Sequence, residues 1–401
     1  MKKILLMLGI SAFACQVQSA GFQLWESSTT NLGRSFAGAG VVGDDYSSLA
    51  YNPAGMNFNS SSGVQVGGTT VGIRSHAEGW QGTPANEGRT NPYIVRLLPH
   101  AYGQYKLNDK TTFGLGLYTP FGLATDYKND WFANNHGLLS EITTFNVSPA
   151  VSYQVSDSVS VGLALNLIYA DAVMSSQPAD RMLFRMTAHD NLAVGYTVGI
   201  TYQPISSTRF GLAYRSKSDI KFEGSGRLTA NGQLMAKSNV STTVTLPEAV
   251  TFSAHHELNK KWGLSATARW TRWTRFKELN IASPLPNFNS ATVEKWQNTW
   301  FYALGADYKY NDALTFRAGL AYDDPAARSA EYRTTRIPDG RRRWVSAGIS
   351  YKYANMEFDL GYAHLFIDKV RAQHGPNGSS PVDIKYDSYS NLVSFGFQYH
   401  F

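Results

Sequence analysis

The C-terminal stretch 393–401 constrains this chain more than any other. Val393, Phe395, Phe397, Tyr399 and Phe401 alternate with Ser394, Gly396, Gln398 and His400. Successive strand residues point to opposite faces, so one face is continuously apolar and the other small or polar. A soluble strand rarely keeps every alternate residue large and apolar to its last position. The pattern predicts a strand whose apolar face meets lipid.

The same period of two runs through the chain from residue 63 onward. Phe145, Val147, Val151 and Tyr153 alternate with small or polar residues. So do Val159, Val161, Leu163, Leu165, Leu167 and Tyr169. In 210–223 the even positions hold Phe210, Leu212, Tyr214, Ile220 and Phe222, and the odd ones Arg215, Lys217, Asp219, Lys221 and Glu223. That pattern predicts an apolar face outward and a charged face toward a watery lumen. In 296–310, Trp296, Trp300, Tyr302, Leu304, Tyr308 and Tyr310 share a face, and Trp262 and Trp270 mark two ends of another run. Aromatic girdles of this kind flank the apolar band of transmembrane barrels.

Fourteen strand-like runs follow, near 63–75, 98–107, 110–127, 138–155, 158–174, 192–204, 207–227, 239–256, 261–276, 294–310, 312–323, 341–354, 356–371 and 389–401. Short turns such as Asn108-Asp109, Ser156-Asp157 and Asn311-Asp312 alternate with longer stretches, 76–97, 128–137, 175–191, 277–293, 324–340 and 372–388. Bacterial barrels place the short turns in the periplasm and the long loops outside. The expected fold is all-β: a 14-stranded antiparallel transmembrane β-barrel over 63–401. A terminal aromatic strand like 393–401 is similar to the signal read by the barrel assembly machinery.

The N-terminus predicts how the chain reaches a membrane. Lys2 and Lys3 precede an apolar run from Ile4 to Ala14, and cleavage is expected after Ser19, giving a signal peptide over 1–19. The run is too short for a membrane-spanning helix. Cys15 is the only cysteine and falls within that signal, which sets aside disulfides and thiol chemistry. The formal charge of +6 would suit nucleic acid, but export excludes that partner. Charged residues make up only 16% and aromatics 13%, a balance that a lipid-facing barrel explains.

Residues 20–62 do not alternate, and a barrel of fourteen strands is too wide for side chains alone to fill. This segment is therefore expected to plug the lumen. It carries Ala20-Gly21-Phe22-Gln23-Leu24, Leu32-Gly33-Arg34, Gly38-Ala39-Gly40, Asp44-Asp45 and Asn52-Pro53-Ala54. Further on stand Gly122-Leu123-Ala124-Thr125, Tyr214-Arg215-Ser216, Leu246-Pro247-Glu248 and Ile337-Pro338-Asp339. In order and spacing these resemble the FadL-type long-chain fatty acid transporters over essentially the whole mature chain. The resemblance implies a hatch over 20–62 with Phe22, Asn52, Pro53 and Ala54 in its motifs. It also implies an outer-membrane location, lipopolysaccharide and outer-membrane lipid as surroundings, and a long-chain fatty acid or other hydrophobic small molecule as cargo.

The third run holds Thr119, Pro120, Phe121 and Gly122 in its middle. Proline cannot donate to a ladder, and a following glycine favours a bend. In the resembling family a kink in this strand opens a lateral portal to the bilayer. A lipid chain gains about 0.8 kcal/mol per buried CH2, so it favours a dry pocket and a sideways exit over a wet pore. Passive transfer is expected, and no phosphate-binding loop argues for an energy source.

Family members hold the cargo carboxylate with basic residues. The stretch 175–191 is short here, and Arg181, Arg185 and Lys295 are the nearest basic candidates by location. Leu183 and Phe184, with Met182 and Met186, are candidates for an adjacent apolar surface. An aromatic hydrocarbon channel is the alternative within transport; a polar porin and an adhesin or structural barrel are the alternatives outside it. His255, His256 and Glu257 make a poor metal site because adjacent strand residues face apart. His364 has no nucleophile readable beside it, so the chain is not expected to be an enzyme, and no cofactor is expected. Arg328, Arg333, Arg336, Arg341, Arg342 and Arg343 are expected to form a solvated, lipopolysaccharide-facing basic patch in an outer loop, with electrostatic capture of anionic amphiphiles as the alternative.

Overall fold

The computed structural model describes residues 21–127 and 131–401; the expected signal peptide lies outside them. Fourteen antiparallel strands close into a barrel. In chain order they are β1 (Gly63–Gln81), β2 (Tyr93–Lys106), β3 (Thr111–Tyr118 and Gly122–Asp126), β4 (Leu139–Ser156), β5 (Val159–Ser176) and β6 (Met182–Ile205). There follow β7 (Thr208–Arg215 and Ser218–Ala230), β8 (Gln233–Leu246 and Ala249–Glu257), β9 (Trp262–Thr271), β10 (Thr299–Lys309), β11 (Leu314–Asp323), β12 (Arg342–Tyr353), β13 (Met356–Ile367) and β14 (Val382–His400).

Closure is made by β1 on β14, in register from Gly63 opposite His400 to Gln81 opposite Val382. A closed ladder satisfies backbone groups between neighbours, the condition for crossing a bilayer with strands. The outward positions carry the apolar band: Leu304 is 66% exposed and Leu320 59%. Trp300 stacks on Tyr302 at one end of the band, and Trp262 packs on Tyr308 at the other.

Several bounds differ from the expectation. β6 begins at Met182, so the connection from β5 is only a short turn and 182–191 is strand. β7 and β8 meet in a tight hairpin at Asn231 (φ 50°) and Gly232 (φ 78°), the left-handed pair that a two-residue turn requires. Trp296 lies before β10 and is buried, so it belongs to the interior and not to a girdle.

The charged ladder of 210–223 also needs correction. Leu212 and Tyr214 face lipid, but Ile220 and Phe222 are buried inside and Lys217 and Lys221 are exposed outside. Ser216 and Lys217 interrupt β7, and a one-residue slip moves every side chain to the opposite face.

Residues 21–62 lie within the barrel and are bonded to its inward face on many sides. The hydroxyls of Thr29 and Ser394 (β14) meet at 2.6 Å, and those of Ser35 and Ser346 (β12) at 2.7 Å. Gly38 N–H donates to Thr267 (β9) at 2.9 Å, and Ser152 (β4) donates to Ala54 O at 3.1 Å. Asn52 caps a 3-10 turn over Pro53–Phe58, accepting from Ala54 N–H at 3.1 Å, with Pro53 at the first position where its missing N–H costs nothing. This turn presses on β6 so closely that a Cβ at Gly199 would collide with Asn52 Oδ1.

Candidate functional site

A ring of four charges closes the lower half of the lumen. Arg34 bridges Asp44 at 2.7 Å and Asp307 at 3.0 Å, and Arg317 reaches the same two carboxylates at 3.0 and 3.1 Å. Burial alone would raise the Asp44 carboxyl, but Arg34 and Arg317 hold it well below the ordinary carboxylate range. Beneath lies a polar cavity of about 230 Å³ walled by Arg209, Lys261, Lys309, Arg317 and Lys352, an environment for water and not for an acyl chain.

Above the ring the interior turns apolar. An apolar cavity is walled by Leu123, Ile142, Ala172, Met174, Met186, Phe222 and Val244 from the strands, with Phe276, Leu279 and Ile337 from the outer loops. Its floor is an aromatic cluster. The Phe22 ring sits 4.8 Å from Trp273, 5.7 Å from Phe276 and 5.7 Å from Trp296. The N-terminal segment and the β9–β10 connection thus share one packed surface. Such apolar walls with few polar groups are the usual form of a small-molecule site.

Two charged side chains of the outer loops reach this cavity. Arg336 Nη1 donates to Ser140 Oγ (2.7 Å), Leu139 O (3.2 Å) and Ser175 O (3.3 Å). No carboxylate pairs with it among the described residues, and burial lowers its guanidinium to about 10. Glu294 is buried and accepts from Trp296 Nε1–H at 2.9 Å; burial raises its carboxyl to about 8.

The wall of this chamber is interrupted at β3. Its lower arm pairs with β2 from Lys106 opposite Thr112 up to Ala101 opposite Leu117, and the ladder stops there. Thr119, Pro120 and Phe121 turn inward and are buried. They are stitched to the N-terminal segment: Leu24 N–H donates to Pro120 O and Gly122 N–H to Phe22 O, both at 2.9 Å. The upper arm, Gly122–Asp126, pairs only with β4. Residues 93–100 of β2 therefore face β3 across a gap. A small cleft lies in it, walled by Ile73, Ile94, Ala124, Tyr127 and Pro338.

The basic candidates do not reach the cavity. Arg181 is exposed at the β5–β6 turn beside Asp180, and Arg185 and Leu183 point outward from β6. Phe184 points inward but packs on Phe288 at 5.3 Å. Lys295 is exposed over the Tyr332 ring. Their stretch is strand, so alternate residues leave the interior, and among its side chains Met186 lines the cavity. The arginine run is not a solvated patch either. Arg342 is fully buried against Asp323 and Asp339, Arg333 is spent on three backbone carbonyls, and Arg336 lines the cavity. Only Arg341 and Arg343 of the group pair at the surface, with Asp368. His255 faces inward onto Ser265 and His256 onto Thr208, on opposite faces of β8.

The family model described as outer membrane protein transport protein (OMPP1/FadL/TodX) matches residues 10–401. The chain belongs to this family. Outer membrane protein P1 of Haemophilus influenzae is 30% identical over 88% of the chain and 87% of its own length. The long-chain fatty acid transport protein of Escherichia coli O6:H1 is 27% identical over 100% of the chain and 98% of its own. Among solved structures, a FadL homologue of Pseudomonas aeruginosa superposes with a TM-score of 0.86 at 24% identity, covering 95% of this chain and 100% of that one. As an OMPP1/FadL/TodX protein, the chain is a multi-pass protein of the bacterial outer membrane, and its family is one of transport proteins, not enzymes.

Proposed function

We propose that the protein admits long-chain fatty acids across the outer membrane without an energy source. Cargo is captured in the apolar cavity above the charged ring and released sideways through the gap between β2 and β3. Residues 21–62 act as the hatch, with Phe22 on the cavity floor and Asn52, Pro53 and Ala54 fixing its far end. Arg336 is the group that receives the carboxylate.

The observation that carries this reading is a greasy chamber blocked below by charge and breached at its side. An acyl chain entering a dry chamber and then lipid never crosses water, and each buried CH2 contributes about 0.8 kcal/mol. Arg336 favours an acid over a neutral aromatic hydrocarbon as cargo, because a half-buried cation lacking a carboxylate among the described residues gains from an anionic ligand.

Filling the gap tests the route. Ala124 is buried and lines it. Ala124→Trp is expected to abolish uptake of oleate by cells while purified protein still binds oleate. Undiminished uptake by a well-folded variant would reject lateral release.

A further inference from the structure

A second discontinuity interrupts the wall, between β6 and β7. Below it, residues 197–202 of β6 pair with 210–215 of β7. Above it, 182–189 pair with 223–230. Between them, 190–196 and 216–222 form no ladder. β6 bulges here, because Ile168 of β5 faces Ala193 while Ala170 faces Asp190. β7 breaks at Ser216 and Lys217, and β8 breaks beside it at Pro247 and Glu248.

What closes this seam is mostly side chains. Ser216 N–H donates to Tyr196 O at 2.8 Å, and Tyr196 N–H donates to Ser216 Oγ at 2.9 Å. Asp190 Oδ2 accepts from Lys221 N–H at 2.7 Å, where a strand would offer a carbonyl. Gly195 lies against Ser216 and Ser218 with no side chain of its own. The seam stands at the outer interface, beside the Tyr196–Tyr214 pair. Leu192 and Val194 are 59% and 56% exposed on the lipid side. Lys221 is exposed on the rim with no ion-pair partner among the described residues. Immediately inside, Phe222 and Met186 wall the apolar cavity.

We propose that this seam is a second lateral opening, through which an anionic amphiphile held in the outer leaflet passes directly into the cavity. The proposal rests on the cargo reading above. Lys221 attracts the head group at the interface. The acyl chain slides over Leu192 and Val194 and passes Gly195, and one backbone bond and two side-chain-mediated bonds yield where a ladder would not. The two wall defects then have different tasks, with admission at β6–β7 and release at β2–β3.

The mature chain is expected to lack cysteine, so the seam can be locked by one disulfide. A Cβ at Gly195 would stand 3.1 Å from Ser216 Oγ, close to the spacing a disulfide needs, once the Ser218 hydroxyl rotates away. The double variant Gly195→Cys with Ser216→Cys is reconstituted in bilayers containing cis-parinaric acid, a fluorescent fatty acid, and in amphipol without a bilayer. Energy transfer from Trp273 and Trp296 reports cavity loading. The reduced protein is expected to load from both sources, and the oxidised protein from the amphipol solution only. Oxidised protein that loads from the bilayer as fast as reduced protein overturns the seam while leaving the cargo reading intact. No loading of the reduced protein from either source, with wild type also empty, overturns both.

A disulfide that distorts the cavity would stop loading from both sources in the oxidised form alone. Asp190→Ala then decides. It removes the acceptor of Lys221 N–H and is expected to speed loading from the bilayer about tenfold, the scale of one hydrogen bond to a charged group. An unchanged rate overturns the proposal.

Discussion

On the proposed reading, Arg336 is the residue that tells an acid from a hydrocarbon. A hydrogen bond to a charged group contributes about 1.5–3 kcal/mol, so Arg336→Met is expected to weaken oleate binding by about 10- to 100-fold. Oleyl alcohol should bind nearly as before, and equal losses for both ligands would remove the charge pairing. Sequence reasoning placed this arginine in a solvated patch, because a run of arginines looks alike one by one. Its partners, Leu139, Ser140 and Ser175, are far away in sequence, and only the folded loop brings them together. Glu294 is not legible either, because the folded loop buries it although its partner Trp296 is near in sequence. Its carboxyl is raised to about 8, so the folded loop holds the proton more tightly than an unfolded one. The contribution is complete below the ordinary glutamate range and is lost as pH rises through about 8. Protection from hydrogen exchange in 272–298, measured relative to the intrinsic base-catalysed rate, is therefore expected to fall over that rise. Glu294→Gln should flatten the dependence, and an equal fall in the variant would assign it to another group.

At the scale of the strand, β7 shows what alternation conceals. Apolar residues keep even numbers from Phe210 to Phe222, yet they face lipid below Ser216 and the cavity above it. Two inversions coincide: the slip exchanges the faces, and above the slip the exterior is water while the interior is greasy. Parity is preserved and the jog leaves no trace in the pattern. The fourteen strands were legible because lipid outside and small or polar groups inside impose a period of two. The β3 bend was legible through Pro120, but its cause was only partly so. Two backbone bonds from Phe22 and Leu24 hold the bend, so the proline does not hold it alone. Pro120→Ala is accordingly expected to leave oleate uptake unchanged. A loss as complete as that expected for Ala124→Trp would return the bend to proline.

For the whole molecule, the hatch and the wall are separable. The barrel closes through its own ladder, whereas the segment 21–62 is held to it by apolar packing, backbone and hydroxyl hydrogen bonds and the four-charge ring. Removing one member of a buried ion cluster typically costs about 3–5 kcal/mol, because the remaining charges lose their partner. Arg34→Met is expected to leave a heat-modifiable, folded barrel that conducts ions more readily in planar bilayers. Unchanged conductance would mean that the ring does not fasten the segment.

The breach between β2 and β3 has one more consequence. A hole through the floor would empty into a volume that dilutes whatever arrives, but a breach in the side empties into a sheet of finite capacity. Cargo accumulating there pushes back on the chamber that released it. Uptake by the proposed route would thus be subject to back-pressure. Its pace would be set less by the transporter than by how quickly the cell withdraws acyl chains from its own outer membrane.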